Sequence, residues 1–136
     1  MPFLLDTNIL SELRKGKRCN SNVASWAAKE SEQAHYISVL SLGEIRKGIE
    51  LLRKKSPADC ISFEVWLQKI QSDYSNCTIA ITSEIAGRWG ELSALRPRPV
   101  IDSLLAATAI EHGLTLATRN TKDFDGLGIS IVNPFQ

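Results

Sequence analysis

The stretch Phe3-Leu4-Leu5-Asp6-Thr7-Asn8-Ile9-Leu10 decides the fold. Three apolar residues run into an acid followed by Thr and Asn, and an amphipathic pattern begins at Ile9, Leu10 and Leu13. This is the pattern of a buried strand that ends in a carboxylate, turns, and starts a helix. In open α/β sheets, ligands sit in the crevice beyond the carboxyl ends of the strands, which places Asp6 at the mouth of such a crevice. A plainer use of the same residue is to cap the helix by accepting a backbone N–H. The stretch alone leaves both uses open.

Working outward, the pattern of strand followed by helix recurs. Val23, Trp26 and Ala27 repeat at helical spacing, with capping candidates at Asn20 to Asn22. His35-Tyr36-Ile37-Ser38 reads as a second strand, and Leu42, Ile45, Ile49 and Leu52 mark the core face of a long helix. Pro57 suits the first position of a further helix carrying Phe63, Val65, Trp66, Leu67 and Ile70. Thr78-Ile79-Ala80-Ile81 gives a third strand, and Thr82 or Ser83 can cap a helix bearing Ile85, Trp89, Leu92 and Leu95. Arg96-Pro97-Arg98-Pro99 stops that helix, because neither proline can continue the hydrogen-bond ladder. Val100 to Glu111 is again helical, and Gly113 suits the left-handed position after it. Leu114 to Thr118 and Ile129 to Val132 complete about five strands. Strands alternating with helices imply an α/β sandwich with a mainly parallel sheet covered on both faces.

The 136 residues, 43% of them hydrophobic, suffice for one core and are expected to form a single domain. No apolar run approaches the ~20 residues of a membrane span, and the N-terminus lacks a basic region followed by an apolar one. Cys19, Cys60 and Cys77 form no C-x-x-C pair, and their odd number fits reduced thiols, so a soluble cytoplasmic protein is expected. His35 and His112 have no Cys or acid at zinc-ligand spacing. The net charge is only +1, yet the positive charge is clustered at Arg14-Lys15-Gly16-Lys17-Arg18, Arg46-Lys47, Arg53-Lys54-Lys55, Arg96-Pro97-Arg98, and Arg119 with Lys122. Any one cluster is explained by a helix C-terminus and solubility. Several around one acidic crevice would instead hold the phosphates of a polyanion.

Four acids have positions compatible with such a crevice. Asp6 and Asp123 follow strands, Asp102 lies in the first turn of an otherwise apolar helix, and Glu44 is on the helix after the second strand with small neighbours at Ser41 and Gly48. Residues 102, 106 and 109 share a side, so Asp102 faces packed protein, where an unpaired charge is costly. Gathered at one sheet edge, four carboxylates demand a counter-cation, and hard oxygen ligands suit Mg²⁺ or Mn²⁺. Such a site can activate water for an in-line displacement at phosphorus.

Leu5-Asp6-Thr7-Asn8, Glu44 on its helix, Val100-Ile101-Asp102 opening an Ala-rich helix, and Thr118-Arg119-Asn120 followed by Asp123-Phe124 resemble the PIN-domain ribonucleases. More narrowly, the chain is similar to the VapC-type toxins of bacterial type II toxin–antitoxin modules, including their FitB-like branch. The resemblance runs from Phe3 to Pro134, with the motifs in the family's order. It implies a PIN-like three-layer α/β/α sandwich and a Mg²⁺-dependent endoribonuclease, with Mn²⁺ as a substitute, that leaves 5′-phosphate and 3′-hydroxyl ends. Asp6 and Asp102 match the principal metal ligands and Glu44 the acid that completes the site. Asp123 matches the fourth, more variable acid, a position for which Asn120 competes. Thr7 and Asn120 match polar residues lining the pocket. The resemblance also implies a cognate antitoxin that blocks the site, a homodimer, and tRNA or ribosomal RNA as the substrate. From clustering alone, Arg14, Lys15, Lys17 and Arg98 are assigned as RNA-phosphate contacts.

Two other readings compete. A haloacid-dehalogenase-like phosphatase also ends a strand in an acid, but its chemistry requires a second Asp two residues later, where this chain has Asn8. A catalytically silent PIN-fold binding module is the other, and it has no reason to tolerate four mutually repelling acids.

Overall fold

The N-terminal apolar run forms strand β1 (Phe3–Leu5), buried throughout, in a computed structural model that describes residues 1–136. It is followed by α1 (Thr7–Leu13), α2 (Ser21–Lys29), β2 (His35–Ser38), α3 (Val39–Lys55), α4 (Cys60–Asp73), β3 (Thr78–Ile79), α5 (Ser83–Leu95), α6 (Val100–His112), β4 (Thr115–Ala117) and β5 (Ile131–Val132). The five strands lie in the order β3-β2-β1-β4-β5 and every pairing is parallel. The chain moves outward from β1 in one direction to β2 and β3, then returns to the other side for β4 and β5. The order therefore reverses beside β1, and the crevice at a topological switch lies at the carboxyl ends of β1 and β4.

Alternation along these short strands builds two cores. Leu4 and Leu116 point to one face, where they pack with Ile85 and Leu92 of α5 and with Leu105, Ala106 and Ala109 of α6. Phe3, Leu5, Ile37 and Ala117 point to the other, against Ile9 and Leu10 of α1 and Ile70 of α4. Ile45, Ile49, Cys60 and Leu67 form a smaller cluster that joins α3 to α4. The result is the expected three-layer α/β/α sandwich.

The expected caps form. Asn20 accepts the backbone N–H groups of Asn22 and Val23 at 2.9 and 3.3 Å, Thr82 accepts that of Ile85 at 3.2 Å, and Gly113 takes the left-handed conformation at φ 63°. The edge strands are shorter than the sequence predicts. Strand β3 stops at Ile79 because its partner Ser38 is the last residue of β2 and caps α3, leaving Ala80 and Ile81 nothing to pair with. Strand β5 begins only at Ile131, after Gly126 and Gly128, both at positive φ, have turned the chain. Pro57 opens a 3₁₀ turn (Pro57–Asp59) one turn ahead of α4. Val65 is 60% exposed, since Phe63, Trp66, Leu67 and Ile70 already occupy the inner face of that helix. All three cysteines are free thiols.

Leu116 is fully buried between β1 and β5 and against the α5–α6 layer. Leu116→Ala is expected to destabilise the protein by about 3 kcal/mol, the middle of the range for a large-to-small core truncation. A chemical denaturation midpoint that does not move would contradict this assignment of the central core.

Candidate active site

Asp6 is the first residue beyond β1, and its backbone N–H still donates to the Ala117 carbonyl at 2.9 Å, so pairing with β4 fixes its position. Its carboxylate caps the helix and also lies at the mouth of the crevice. Oδ1 accepts the Thr7 backbone N–H at 2.7 Å and so caps α1. Oδ2 accepts the Thr118 hydroxyl at 2.8 Å and the Asn8 amide at 3.3 Å, at the crevice between β1 and β4. Asp6 is only 6% exposed, and burial pushes its carboxyl above the usual range. Hydrogen bonds from Thr118, Thr7 and Asn8 pull it the other way, while the Asp123 charge adds to the upward push.

Thr7 links this acid to the next. Its backbone serves Asp6, and its hydroxyl donates to Glu44 Oε1 at 2.6 Å while lying 2.9 Å from the buried Ser41 Oγ. A hydroxyl has one proton to give, so Ser41 must donate to Thr7. Asp102 sits in the first turn of α6, half-buried, and its side chain accepts no protein hydrogen bond. Burial, then the charges of Asp6, Asp123 and Glu44, raise its pKa to about 6. Asp123 is exposed in the 3₁₀ turn Thr121–Phe124, which the buried Phe124 anchors beneath α6. Asn120 precedes that turn, and its backbone N–H donates to Thr118 Oγ1 at 3.1 Å.

Asp6, Glu44 and Asp123 are therefore close enough to Asp102 for each to raise the cost of ionising it. None of the four is in an ion pair with a Lys, Arg or His. No three His, Cys, Asp or Glu side chains converge as a ready-made metal shell. That spacing suits carboxylates which repel one another, and a hard cation that keeps several waters needs only one or two of them directly. The donor set is all oxygen and fits Mg²⁺ or Mn²⁺.

The basic residues lie elsewhere. Arg14 stacks over the Phe63 ring at 3.8 Å from its centroid and donates to Ser62 Oγ at 3.3 Å, bracing α1 against α4. Lys15 pairs with Glu12 at 3.0 Å, and Lys17 is exposed in the 3₁₀ turn Gly16–Arg18. Arg98 donates to the Asp125 carbonyl at 3.4 Å, as does Arg96. None of these four predicted phosphate contacts touches the acids. Glu12, which the sequence reading passed over, has a backbone role. It accepts the Asn20 N–H at 2.9 Å, and this bond followed by Lys15 holds its carboxyl below the usual range.

Thr118 is the main residue the sequence reading left without a role. It is fully buried, and its hydroxyl reaches both Asp6 and, at 3.5 Å, Asn8. Its signal was positional. Leu5 pairs with Ala117, so the residues that follow each strand, Asp6 and Thr118, must be neighbours.

A PIN domain model matches residues 3–128 of the sequence. The chain belongs to the PIN domain family. It is 27% identical to Toxin FitB of Neisseria gonorrhoeae over 98% of both chains, and 27% identical to VapC ribonuclease Y4jK of Sinorhizobium fredii, again over 98% of each. Among solved structures, a toxin–antitoxin complex from Klebsiella pneumoniae contains a chain with 31% identity and a TM-score of 0.69, with 98% of each chain covered. The PIN fold thus accounts for the five-stranded parallel sheet covered by helices.

Asp102 provides a test of the cluster's electrostatics. Its folded pKa of about 6 lies above the ordinary 3.8, so the folded form binds the proton more tightly than the unfolded one. Its contribution to stability is therefore most favourable at the acid end of that window and declines as pH rises through it. Asp102→Asn should raise the melting temperature of EDTA-treated protein by a few degrees at neutral pH, with the gain shrinking toward pH 4. A gain independent of pH would show that Asp102 does not feel the other acids.

Proposed function

We propose that this PIN domain, acting as a single domain in the cytoplasm, is a divalent-metal-dependent endoribonuclease and the toxin of a type II toxin–antitoxin pair. One observation carries the reading: four carboxylates gather at the sheet's switch point with no cationic side chain to neutralise them. Asp6 and Asp102 hold Mg²⁺ or Mn²⁺, and Glu44 and Asp123 complete the site directly or through water. When bound, the ion supplies an activated water and stabilises charge on the phosphate oxygens.

The protein's own groups prepare that chemistry. Thr118, Asn8 and the Thr7 N–H hold both Asp6 oxygens in place, leaving one of about four lone-pair sites for an outside partner. Thr7 fixes one Glu44 oxygen, and the other makes no protein hydrogen bond, so within this proposal it is the group free to orient the attacking water and accept its proton. In-line attack at phosphorus then leaves 5′-phosphate and 3′-hydroxyl ends. The names of the relatives, a toxin, a ribonuclease and a toxin–antitoxin complex, support a cognate antitoxin as partner and RNA as substrate; tRNA or ribosomal RNA is the substrate within this proposal. A homodimer is part of the same proposal. No helix is long and apolar enough to cross a membrane.

Cleavage of total cellular RNA by wild type and Asp6→Asn, each with Mg²⁺ and with EDTA, tests the reading by sequencing of new 5′ ends. Discrete cuts made only by wild type with metal are expected. A folded wild type that cuts nothing with any divalent ion would leave a silent binding module in its place. Thr118→Val removes the hydroxyl that orients Asp6 and should weaken apparent Mg²⁺ affinity about 10- to 100-fold, as for other groups that orient a metal ligand. Thr118→Ser should restore it, and equal affinity in all three proteins would remove Thr118 from the site.

A further inference from the structure

Beside the acids, at the carboxyl ends of β4 and β5, lies a recess of about 390 Å³ lined by no apolar side chain. We propose that it receives the nucleotide next to the scissile phosphate and reads its base, a specificity subsite for single-stranded RNA. The inference rests on the nuclease reading above and goes beyond it in naming where sequence is read.

Position is the first argument. Asp123 lines the recess and is also one of the three acids whose charges act on Asp102, so a ligand in the recess abuts the reacting phosphate. Charge is the second. Arg119 and Lys122 line the recess, and neither is in an ion pair, although Asp123 is one residue from Lys122. Of the 16 Lys and Arg, only Lys15, Arg46, Arg53, Lys69 and Arg88 pair with acids, so what distinguishes Arg119 and Lys122 is their place beside Asp123. Two cations left unpaired beside an acidic cluster suit a polyanion that passes both.

Preorganisation is the third. The Arg119 guanidinium lies 4.6 Å from the centroid of the Phe135 ring, and its backbone N–H donates to Asn8 Oδ1 at 3.2 Å. Phe135 is itself pinned, because its carbonyl accepts from Asn22 Nδ2 at 2.9 Å and its N–H donates to Asn133 Oδ1 at 3.0 Å. This last bond occupies the Asn133 carbonyl and leaves its NH₂ group without a protein partner on the wall of the recess. The Asn120 side chain, also on the wall, makes no protein hydrogen bond. Cations position a nucleotide through its phosphate, whereas amides read base edges, and single-stranded RNA is recognised by bases splayed into such pockets. Both kinds of group are present here in one recess.

The test is cleavage of a short randomised RNA library with Mg²⁺, with the cut ends sequenced, by wild type, Asn133→Ser and Lys122→Gln. The serine hydroxyl can still accept the Phe135 N–H, so the turn is kept while the NH₂ is lost. Lys122 has no side-chain partner whose loss would disturb the fold. Asn133→Ser is expected to lose about tenfold discrimination among bases at one position beside the cut, the size of a single base contact. Lys122→Gln should raise KM with little change in kcat and lower the salt dependence of binding by about one ion. Wild-type cleavage with an unchanged base pattern in Asn133→Ser and unchanged KM and salt slope in Lys122→Gln would overturn the subsite alone. Absence of cleavage by wild type would overturn the nuclease reading and the subsite with it.

Discussion

A carboxylate buried at the end of the central strand is the constraint on which the arrangement depends. Asp6 is nearly inaccessible, and a buried charge is tolerable only when donors meet it. Its three donors come from separate places: the Thr7 N–H from the helix it caps, the Asn8 amide one residue further on, and the Thr118 hydroxyl from beyond β4. The last requires the exact pairing of Leu5 with Ala117. A slip of one residue would bring Arg119 or Ala117 beside the carboxylate and invert the burial of every β1 side chain. Through the Thr7 hydroxyl the same constraint reaches Glu44 and so orients α3.

Asp102 shows the opposite treatment of a charge. It has no hydrogen-bond donor and three acidic neighbours, and burial followed by their charges raises its carboxyl to about 6. Nothing in the fold requires an acid here, since α6 is secured to the sheet by Leu105, Ala106 and Ala109. This supports the metal-binding role proposed for Asp102, since functional sites break local rules at a cost met by the rest of the core.

The sequence displayed the alternation of strands and helices because parallel strands covered on both faces read as short apolar runs, and helices declare themselves by period and cap. Edge strands are shorter than their apolar runs because apolar content does not reveal where a neighbour ends, as at Ile79 opposite Ser38. Acids at strand ends and in first turns were legible by position. Thr118 was not, since its role depends on which strand lies beside β1 rather than on anything near it in the chain. The basic clusters were equally opaque. Arg14 is adjacent in sequence to Lys15, yet one stacks on Phe63 from α4 and the other pairs with Glu12 a turn away.

The two sides of the acidic cluster differ in chemistry, and the difference follows from topology. Glu44 borders a groove of about 340 Å³ between α3 and α4, with Ile45, Ile49, Phe63 and Trp66 along it. Asp123 borders the polar recess with Arg119 and Lys122. The α3–α4 pair is a helical hairpin whose facing sides must be apolar to pack, so any groove between them inherits that character. The β4 and β5 ends are loop, where backbone groups and polar side chains meet solvent. A polyanion is repelled by four acids unless cations accompany it, and on this molecule the unpaired cations bordering the acids at Asp123 lie in the recess. On the proposed reading, a phosphate chain that follows Arg119 and Lys122 enters along the same sheet edge that assembles the carboxylates.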